Sequence, residues 1–412
     1  NEALNQLVNQ PQGPVQINIP LTEPLYETQE LETQPILNVK EVDSKDLSST
    51  EKELIASEWK KATKKLVLIG QMKSGELNVE LLKPLLSDPG VAILVENTSN
   101  IQDFQRICHC IDRTLAIIKP EEIVDFTPDL LVTFGGAVIS KKIKAFLRKN
   151  KPAVNWRVGE HAIEQDTYQS LTQSFYVKPY WFIRFIGTLD LVPNSNFGSK
   201  WKQRDFMAED RHFNYLSNAP FSDLKAFESI LDTMPEDTNL HMANSSVVRY
   251  CQLFNPVRGM KYYANRGVSG IDGSSSTALG IAVASPQRLN LLISGDISFF
   301  YDSNALWNNY LVPNLRIIVV NNGGGGIFKI IDGPSQSEQA NYFFAPFKAN
   351  VKSICEAFNV RYRYANTLES LESQFFDFYS ISADNRPEVF EIDTHEIENE
   401  SVLKAYFQAI GN

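Results

Sequence analysis

LNLLISGDISFFYDSNALWNNYLVPNLRIIVVNNGGGGIF, residues 289–328, decides how the chain reads. Two apolar runs, residues 291–294 and 316–320, have the composition of buried parallel strands. The first ends in Gly295-Asp296 and the second in Asn321-Asn322, which the run Gly323-Gly324-Gly325-Gly326 follows. The segment between them, around residues 301–310, is long enough for a crossover helix. Open parallel sheets bind ligands at the carboxyl ends of their strands. Here those ends carry a carboxylate, two amides and bare backbone. Asp296 offers a charged hard oxygen, Asn322 a neutral amide oxygen, and a glycine its carbonyl. Mg2+ takes such oxygens in a near-octahedral shell that it shares with phosphates, and a glycine run lets backbone approach an anion closely. The stretch therefore reads as a metal–diphosphate site. It lacks the Lys-Ser/Thr of a Walker A loop, and its glycines do not have the dinucleotide-fingerprint spacing. A plain strand–turn–strand with a flexible glycine loop is the competing reading.

Strands and helices alternate on the N-terminal side of this stretch. Thr50-Glu-Lys-Glu53 has the form of a capping box, opening a helix with Leu54, Ile55, Trp59 and Ala62 on one face. Strands are expected at 66–69, 91–95, 130–134 and 153–156, with helices at 79–86, 101–117 and 141–148. Such a βαβ series builds a parallel sheet covered on both faces. Gly135-Gly136 follows a strand, and Ser140-Lys141-Lys142 opens the next helix, which suggests an anion site at a helix start. A tight turn followed by a solvated cationic face is the alternative. Residues 157–200 are mixed, and a domain boundary is placed around Val192-Pro-Asn-Ser-Asn-Phe-Gly198.

A second series follows. Helices are expected at 222–233, 245–253 and 274–284, and strands at 240–243 and 261–265. Beyond the opening stretch come helices at 351–358, 368–379 and 401–409, with strands at 360–364 and 389–392. Residues 329–347 read as a long loop with the character of a lid, and residues 21–48 as a linker. The chain is thus α/β, with two doubly wound parallel-sheet domains at 49–195 and 196–412.

Composition narrows the function. The 412 residues are 43% hydrophobic and 21% charged, with a net charge of −10. No basic excess is present to neutralise nucleic-acid or lipid phosphates. Four cysteines are too few for a disulfide scaffold. Cys108-His109-Cys110 fits no standard zinc spacing, so reduced, partly buried thiols are expected. No apolar run approaches the ~18 residues of a membrane span, and no signal-peptide pattern is present. A cytoplasmic enzyme is the expectation.

Gly295-Asp296 followed by Asn321-Asn322 resembles the cofactor motif of the thiamine diphosphate enzyme superfamily. Asn244-Ser-Ser-Val-Val-Arg249, Asn265-Arg-Gly-Val-Ser-Gly-Ile-Asp-Gly273 and residues 321–328 together resemble one family within it. That family is the 2-succinyl-5-enolpyruvyl-6-hydroxy-3-cyclohexene-1-carboxylate synthases (MenD) of menaquinone biosynthesis. The resemblance is densest over residues 244–328 and extends weakly over most of the chain. It implies a central domain followed by a diphosphate-binding domain, with thiamine diphosphate and Mg2+ (or Mn2+) as cofactors. Asp296, Asn322 and the Gly324 carbonyl match the metal ligands. Ser269, Gly270, Ile271, Asp272, Gly295, Asp296, Ile297, Ser298, Asn322, Gly324, Gly325 and Ile327 match cofactor-contacting positions, Ile271 being the bulky residue that bends the cofactor. Ser245, Arg249, Arg266, Ile327, Phe328 and Lys142 (or Lys141) match substrate-binding positions. Arginine's planar fork suits carboxylates, although a lone arginine is more simply read as a surface ion pair.

The implied reaction is decarboxylation of 2-oxoglutarate and addition of the resulting carbanion to isochorismate, in a homo-oligomer (dimer or tetramer). Residues 1–20, closing on Gly13-Pro-Val-Gln-Ile-Asn-Ile-Pro20, resemble the end of the superfamily's pyrimidine-binding domain. The chain therefore reads as a fragment. No residue in it takes the part of the cofactor-activating glutamate, and it is expected to be inactive alone. Two rival readings remain. One is another thiamine diphosphate enzyme, an acetohydroxyacid synthase-like carboligase or a 2-oxo acid decarboxylase, which would have less use for Arg249 and Arg266. The other is a non-catalytic interaction protein that kept the fold, against which the Asp296/Asn322 pair speaks.

Overall fold

The computed structural model describes residues 15–18, 46–102, 105–160, 166–189, 195–330, 338, 340–381 and 384–412. The phrase at residues 13–20 and the linker at 21–48 fall largely outside the described residues. So do residues 192–194 of the boundary phrase and 331–337 of the long loop.

Two sheets of parallel strands carry the fold. Strands β1 (Lys65–Ile69), β2 (Val91–Val95), β3 (Leu130–Phe134), β4 (Val154–Val158) and β5 (Gln173–Phe175) pair in the order β2-β1-β3-β4-β5. Strands β6 (Asn239–Met242), β7 (Lys261–Tyr263), β8 (Asn290–Gly295), β9 (Leu315–Asn321), β10 (Arg361–Ala365) and β11 (Glu388–Asp393) pair in the order β10-β11-β9-β8-β6-β7. All residues of β1, β2 and β3 are buried. Runs such as Leu-Val-Leu-Ile and Val-Ala-Ile-Leu-Val therefore lack a polar alternation, because helices cover both faces. In the second sheet the chain steps from β6 outward to β7, then crosses back to lay β8 on the other side of β6. That reversal opens a crevice at the carboxyl ends of β6 and β8.

Several expectations need correction. The first helix, Ser49–Lys61, is capped by Ser48 with Glu51 rather than by Thr50 with Glu53, and Leu54 lies on its exposed side. The helix expected over residues 101–117 shrinks to Ile111–Ala116. Ahead of it, Cys108 donates to the Ile93 carbonyl at 3.0 Å and accepts the Val95 N–H at 2.9 Å, so the chain runs extended beside β2. The crossover helix starts at once after β8, as Asp296–Tyr301, and gives way to a single 3-10 turn, Ser303–Leu306. Residues 368–379 form two short helices, Leu368–Glu372 and Phe375–Tyr379. Among the described residues no helix is long and apolar enough to cross a membrane.

The largest omission is a helix of 20 residues, Phe197–Leu216. Its buried face runs through Phe197, Trp201, Asp205, Ala208, His212 and Leu216, a helical spacing interrupted by two polar residues. Burial on both sides explains the pattern. Phe197 and Trp201 enter the core of the first sheet, while Ala208 and Leu216 enter that of the second. Asp205 accepts from Thr114 Oγ1 at 2.9 Å, and His212 Nδ1 meets the Tyr406 hydroxyl at 2.7 Å. This helix serves both cores, immediately after the boundary placed at 195/196.

Its entry is tight. A Cβ on Gly198 would lie 2.0 Å from the Val91 carbonyl oxygen, and the Gly198 N–H already donates to Pro89 at 2.8 Å. Alanine gains about 1 kcal/mol of helix propensity over glycine, but overpacking against backbone costs about 1–3 kcal/mol or more. Gly198→Ala is therefore expected to lower the urea midpoint despite the better helix former. A raised midpoint would show that the helix shifts freely on β2.

Candidate active site

The crevice is built by three loops. After β6 the chain enters Asn244-Ser245 and the helix Ser246–Cys251. After β8 it enters Gly295 and the helix that begins at Asp296. After β9 it enters Asn322 and the glycine run. Asn244, Ser245, Ile271, Gly295, Asp296, Ile297, Ser298, Asn322, Gly324, Gly325 and Phe328 all line it, together with Asp223, Phe227 and Tyr250.

Asp296 is 2% exposed. Its carboxylate accepts three backbone N–H groups: Ile297 at 2.6 Å, Gly323 at 2.8 Å and Gly324 at 2.9 Å. Burial nevertheless pushes the carboxyl up to about 7, since the donated hydrogen bonds only partly replace water. The glycines are obligatory here. Gly323 and Gly324 have φ of 82° and 156°, and a Cβ on either would lie 2.5 Å from His395 Nε2 or the Phe344 carbonyl respectively.

The donor set fits a hard cation. Asn322 Nδ2 donates to Asp223 at 3.0 Å, and its Oδ1 is buried without a hydrogen-bond partner. An orphaned acceptor beside a buried carboxylate is costly unless something positive lies between them. The Gly324 carbonyl accepts the Gly326 N–H at 2.9 Å, which leaves it one lone pair. Burial also raises the Asp223 carboxyl.

The other expected residues distribute unevenly. Ile271 lines the crevice, and its carbonyl accepts the Ser298 hydroxyl. Ser269 and Asp272 lie on the exposed side of that turn, and Gly270 is tied to the crevice only through its carbonyl, which accepts Asn244 Nδ2 at 2.6 Å. Arg249, Lys142, Lys141 and Ile327 share a neighbouring pocket, joined to the crevice by Ser246 and Tyr250. Lys142 Nζ sits 3.2 Å from the Phe407 ring centroid, and burial lowers its pKa while Asp112 opposes that shift. Arg266 faces a third pocket with Lys144, Arg148 and Arg157, and donates to Asn244 Oδ1 at 2.6 Å. Arg249 and Arg266 each keep a buried Nε with no hydrogen-bond partner.

The anion site expected at the Ser140 helix start is filled by the protein itself. Ile139 and Ser140 N–H groups each donate to the buried Glu96 carboxylate at 2.7 Å, and burial pushes that carboxyl up to about 7. The sequence reading passed over Asp223, Phe227 and Tyr250. Nothing in Ser222-Asp223 distinguishes a site residue from an ordinary helix start. Asn244 opens the phrase Asn244–Arg249, yet its work, joining Arg266 to the turn at Gly270, is visible only in three dimensions.

Residues 244–392 match the family model described as thiamine pyrophosphate enzyme, C-terminal TPP binding domain. A 2-succinyl-5-enolpyruvyl-6-hydroxy-3-cyclohexene-1-carboxylate synthase of Christiangramia forsetii is 40% identical over 413 residues, spanning 99% of this chain and 71% of the relative. Synthases of the same name from Flavobacterium johnsoniae and Porphyromonas gingivalis are each 36% identical, spanning 100% of this chain and 74% and 72% of the relatives.

Ser245 carries backbone strain at the mouth of the crevice, with φ 74° and ψ −125°. Such conformations cost about 1–3 kcal/mol for a residue with a Cβ, more than the roughly 0.5–1 kcal/mol of extra chain entropy glycine brings. Ser245→Gly is expected to raise stability by about 1 kcal/mol in urea melts. A loss of stability would mean that the Ser245 side chain holds the loop.

Proposed function

The chain belongs to the 2-succinyl-5-enolpyruvyl-6-hydroxy-3-cyclohexene-1-carboxylate synthase family of thiamine diphosphate enzymes, and on that premise we propose how its residues divide the reaction of menaquinone biosynthesis. The substrates are 2-oxoglutarate and isochorismate. The observation that carries the reading is the buried Asp296 carboxylate beside the orphaned Asn322 Oδ1, one wall away from a pocket holding Arg249 and Lys142.

Asp296 and Asn322, with the remaining lone pair of the Gly324 carbonyl, would hold Mg2+, whose charge would neutralise the diphosphate. Gly295, with open space where a Cβ would stand, leaves room for that group. Ile271, which lines the crevice, would supply the apolar contact for the rings. The thiamine group, once bound, supplies the electron sink that decarboxylation requires. Arg249 and Lys142 would receive substrate carboxylates: Arg249 offers a buried Nε without a hydrogen-bond partner, and Lys142 an ammonium held over the Phe407 ring. Ile327 and Phe328 form the apolar wall that keeps water from the reacting carbon. Arg266, held by Asn244, stands further off and contributes charge at the seam between the two sheets. Of the rivals, a monocarboxylate decarboxylase would have less use for two cations, Arg249 and Lys142, in one pocket.

Two wider expectations accompany this reading. Exposed aromatics on the crossover after Asp296, Tyr301, Trp307 and Tyr310, at 69%, 70% and 72% exposure, support a homo-oligomer that covers them. Four free buried thiols, Cys108, Cys110, Cys251 and Cys355, suit a reducing cytoplasm.

Full-length protein supplied with 2-oxoglutarate and isochorismate is expected to form the carboligated product, and turnover of pyruvate alone would favour the rival enzymes. Arg249→Met keeps the bulk and removes the charge. A charge-assisted hydrogen bond is worth about 1.5–3 kcal/mol, so KM for the carboxylate it meets should rise about 10- to 100-fold. Unchanged KM for both substrates would remove Arg249 from the site. Calorimetry should show that chelating divalent cations abolishes thiamine diphosphate binding, and undiminished binding in excess chelator would refute the metal assignment.

A further inference from the structure

The metal site proposed above gives Asn322 an oxygen ligand, and the question that rests on that reading is what turns the amide the right way. An amide side chain has two ends of nearly equal size, and only the oxygen binds a cation. Hydrogen-bond partners decide which end faces a pocket. Behind Asn322 lies Asp223, 2% exposed, whose Oδ2 accepts Asn322 Nδ2 at 3.0 Å. A carboxylate can only accept, so it selects the amide nitrogen and sends the oxygen the other way. Asn322 Oδ1 accordingly lies buried with no partner, and Asp223, Asn322 and Asp296 line the same crevice.

Asp223 is itself held from two further sides. Thr394 Oγ1 donates to its Oδ1 at 2.6 Å, and its own N–H donates to Asn399 Oδ1 at 2.7 Å. Asn399 Nδ2 in turn donates to Thr394 Oγ1 at 3.2 Å. These groups lie at the start of the helix Asp223–Thr233, in the turn after β11 and at the start of the helix Asn399–Gly411. Among the described residues, all the hydrogen-bond partners of Asp223 are neutral. A buried carboxylate without a cation is a poor device for stability, and the two neutral donors that meet its side chain, Thr394 Oγ1 and Asn322 Nδ2, leave its charge uncompensated. What only an ionised carboxylate supplies is an acceptor that never donates, and the donors Thr394 Oγ1 and Asn322 Nδ2 favour that form against the effect of burial. We infer that Asp223 is a positioning residue for the metal: it fixes the Asn322 amide so that its oxygen, not its nitrogen, faces the cofactor crevice. Replacing it by an amide removes the selection, because an amide can meet either end of Asn322.

The test is calorimetric titration of Mn2+ into full-length protein in the presence of thiamine diphosphate, for wild type, Asp223→Asn and the exchanged pair Asp223→Asn/Asn322→Asp. Folding is checked by circular dichroism. In the exchanged pair the hydrogen bond runs in the opposite direction, net charge is unchanged, and an oxygen again faces the metal. Wild type should bind the metal, Asp223→Asn should lose about 10-fold or more in affinity, as outer-shell partners of metal ligands do, and the exchanged pair should recover most of it. No metal binding by wild type would sink the metal reading itself. Equal binding by wild type and Asp223→Asn would leave that reading standing and overturn the role of Asp223. If Asp223→Asn does not fold, the exchanged pair decides alone: metal binding near the wild-type affinity supports the inference. A folded pair that binds poorly overturns it, as does a pair that fails to fold, because orientation alone predicts that the reversed bond is tolerated.

Discussion

The carboxylate of Asp296 ties two strand ends together. It starts the helix after β8 and accepts N–H groups from Gly323 and Gly324 after β9. Taking a carboxylate out of water costs several kcal/mol unless donors surround it, so the glycine loop has to fold over it. Only residues free of a Cβ can do so, because His395 and the Phe344 carbonyl occupy the space that a Cβ would need. The same closure shapes the crevice. It brings Asn322 against Asp223 on one side and leaves the Asn322 oxygen without a partner on the other. A loop that satisfied all of its own polar groups would leave nothing for a ligand to bind.

A second constraint sets the pocket beside it. Lys142 belongs to the first sheet's half of the chain and Arg249 to the second, and they share a pocket because the two halves are joined through backbone atoms. Asn97 Nδ2 donates to the Cys251 carbonyl at 2.8 Å, and Asn100 exchanges hydrogen bonds with both backbone groups of Tyr262, at 2.8 and 3.0 Å. Gln71 reaches the Ala264 carbonyl at 2.8 Å, and Gln102 reaches that of Val257 at 3.1 Å. Side-chain amides docking on main chain fix register more narrowly than apolar contact does, since each bond fails within a few tenths of an ångström. The helix Phe197–Leu216, buried in both cores, carries the same rigidity through the back of the molecule. The cations converge at this seam. Glu96, inside it, gives the helix start at Ser140 its counter-charge and adds negative potential beneath Lys144, Arg249 and Arg266.

The sequence by itself determined the class of fold and pointed to the residues of the crevice. Uninterrupted apolar runs announced parallel strands, because a strand covered on both faces has no polar alternation, and most strand positions follow within a residue or two. Asp296, Asn322 and the glycines stood out because a carboxylate, an amide and bare backbone close two apolar strands, and the structure brings them into one crevice. Tertiary structure decided the rest. The helix Phe197–Leu216 stayed hidden because Asp205 and His212 interrupt its apolar stripe, and their partners, Thr114 and Tyr406, lie far away in sequence. The helix expected over residues 101–117 gave way to an edge pairing with β2, since long-range backbone bonds at Cys108 outweigh local helix propensity. The anion expected at the Ser140 helix start turned out to be Glu96, a choice no local pattern can express. Arg249 and Arg266, equal in the sequence, face different pockets, because Asn244 holds one of them away. Asp223 carries no signal at all: a carboxylate at a helix start is commonplace, and only the folded chain brings it behind the amide that it orients.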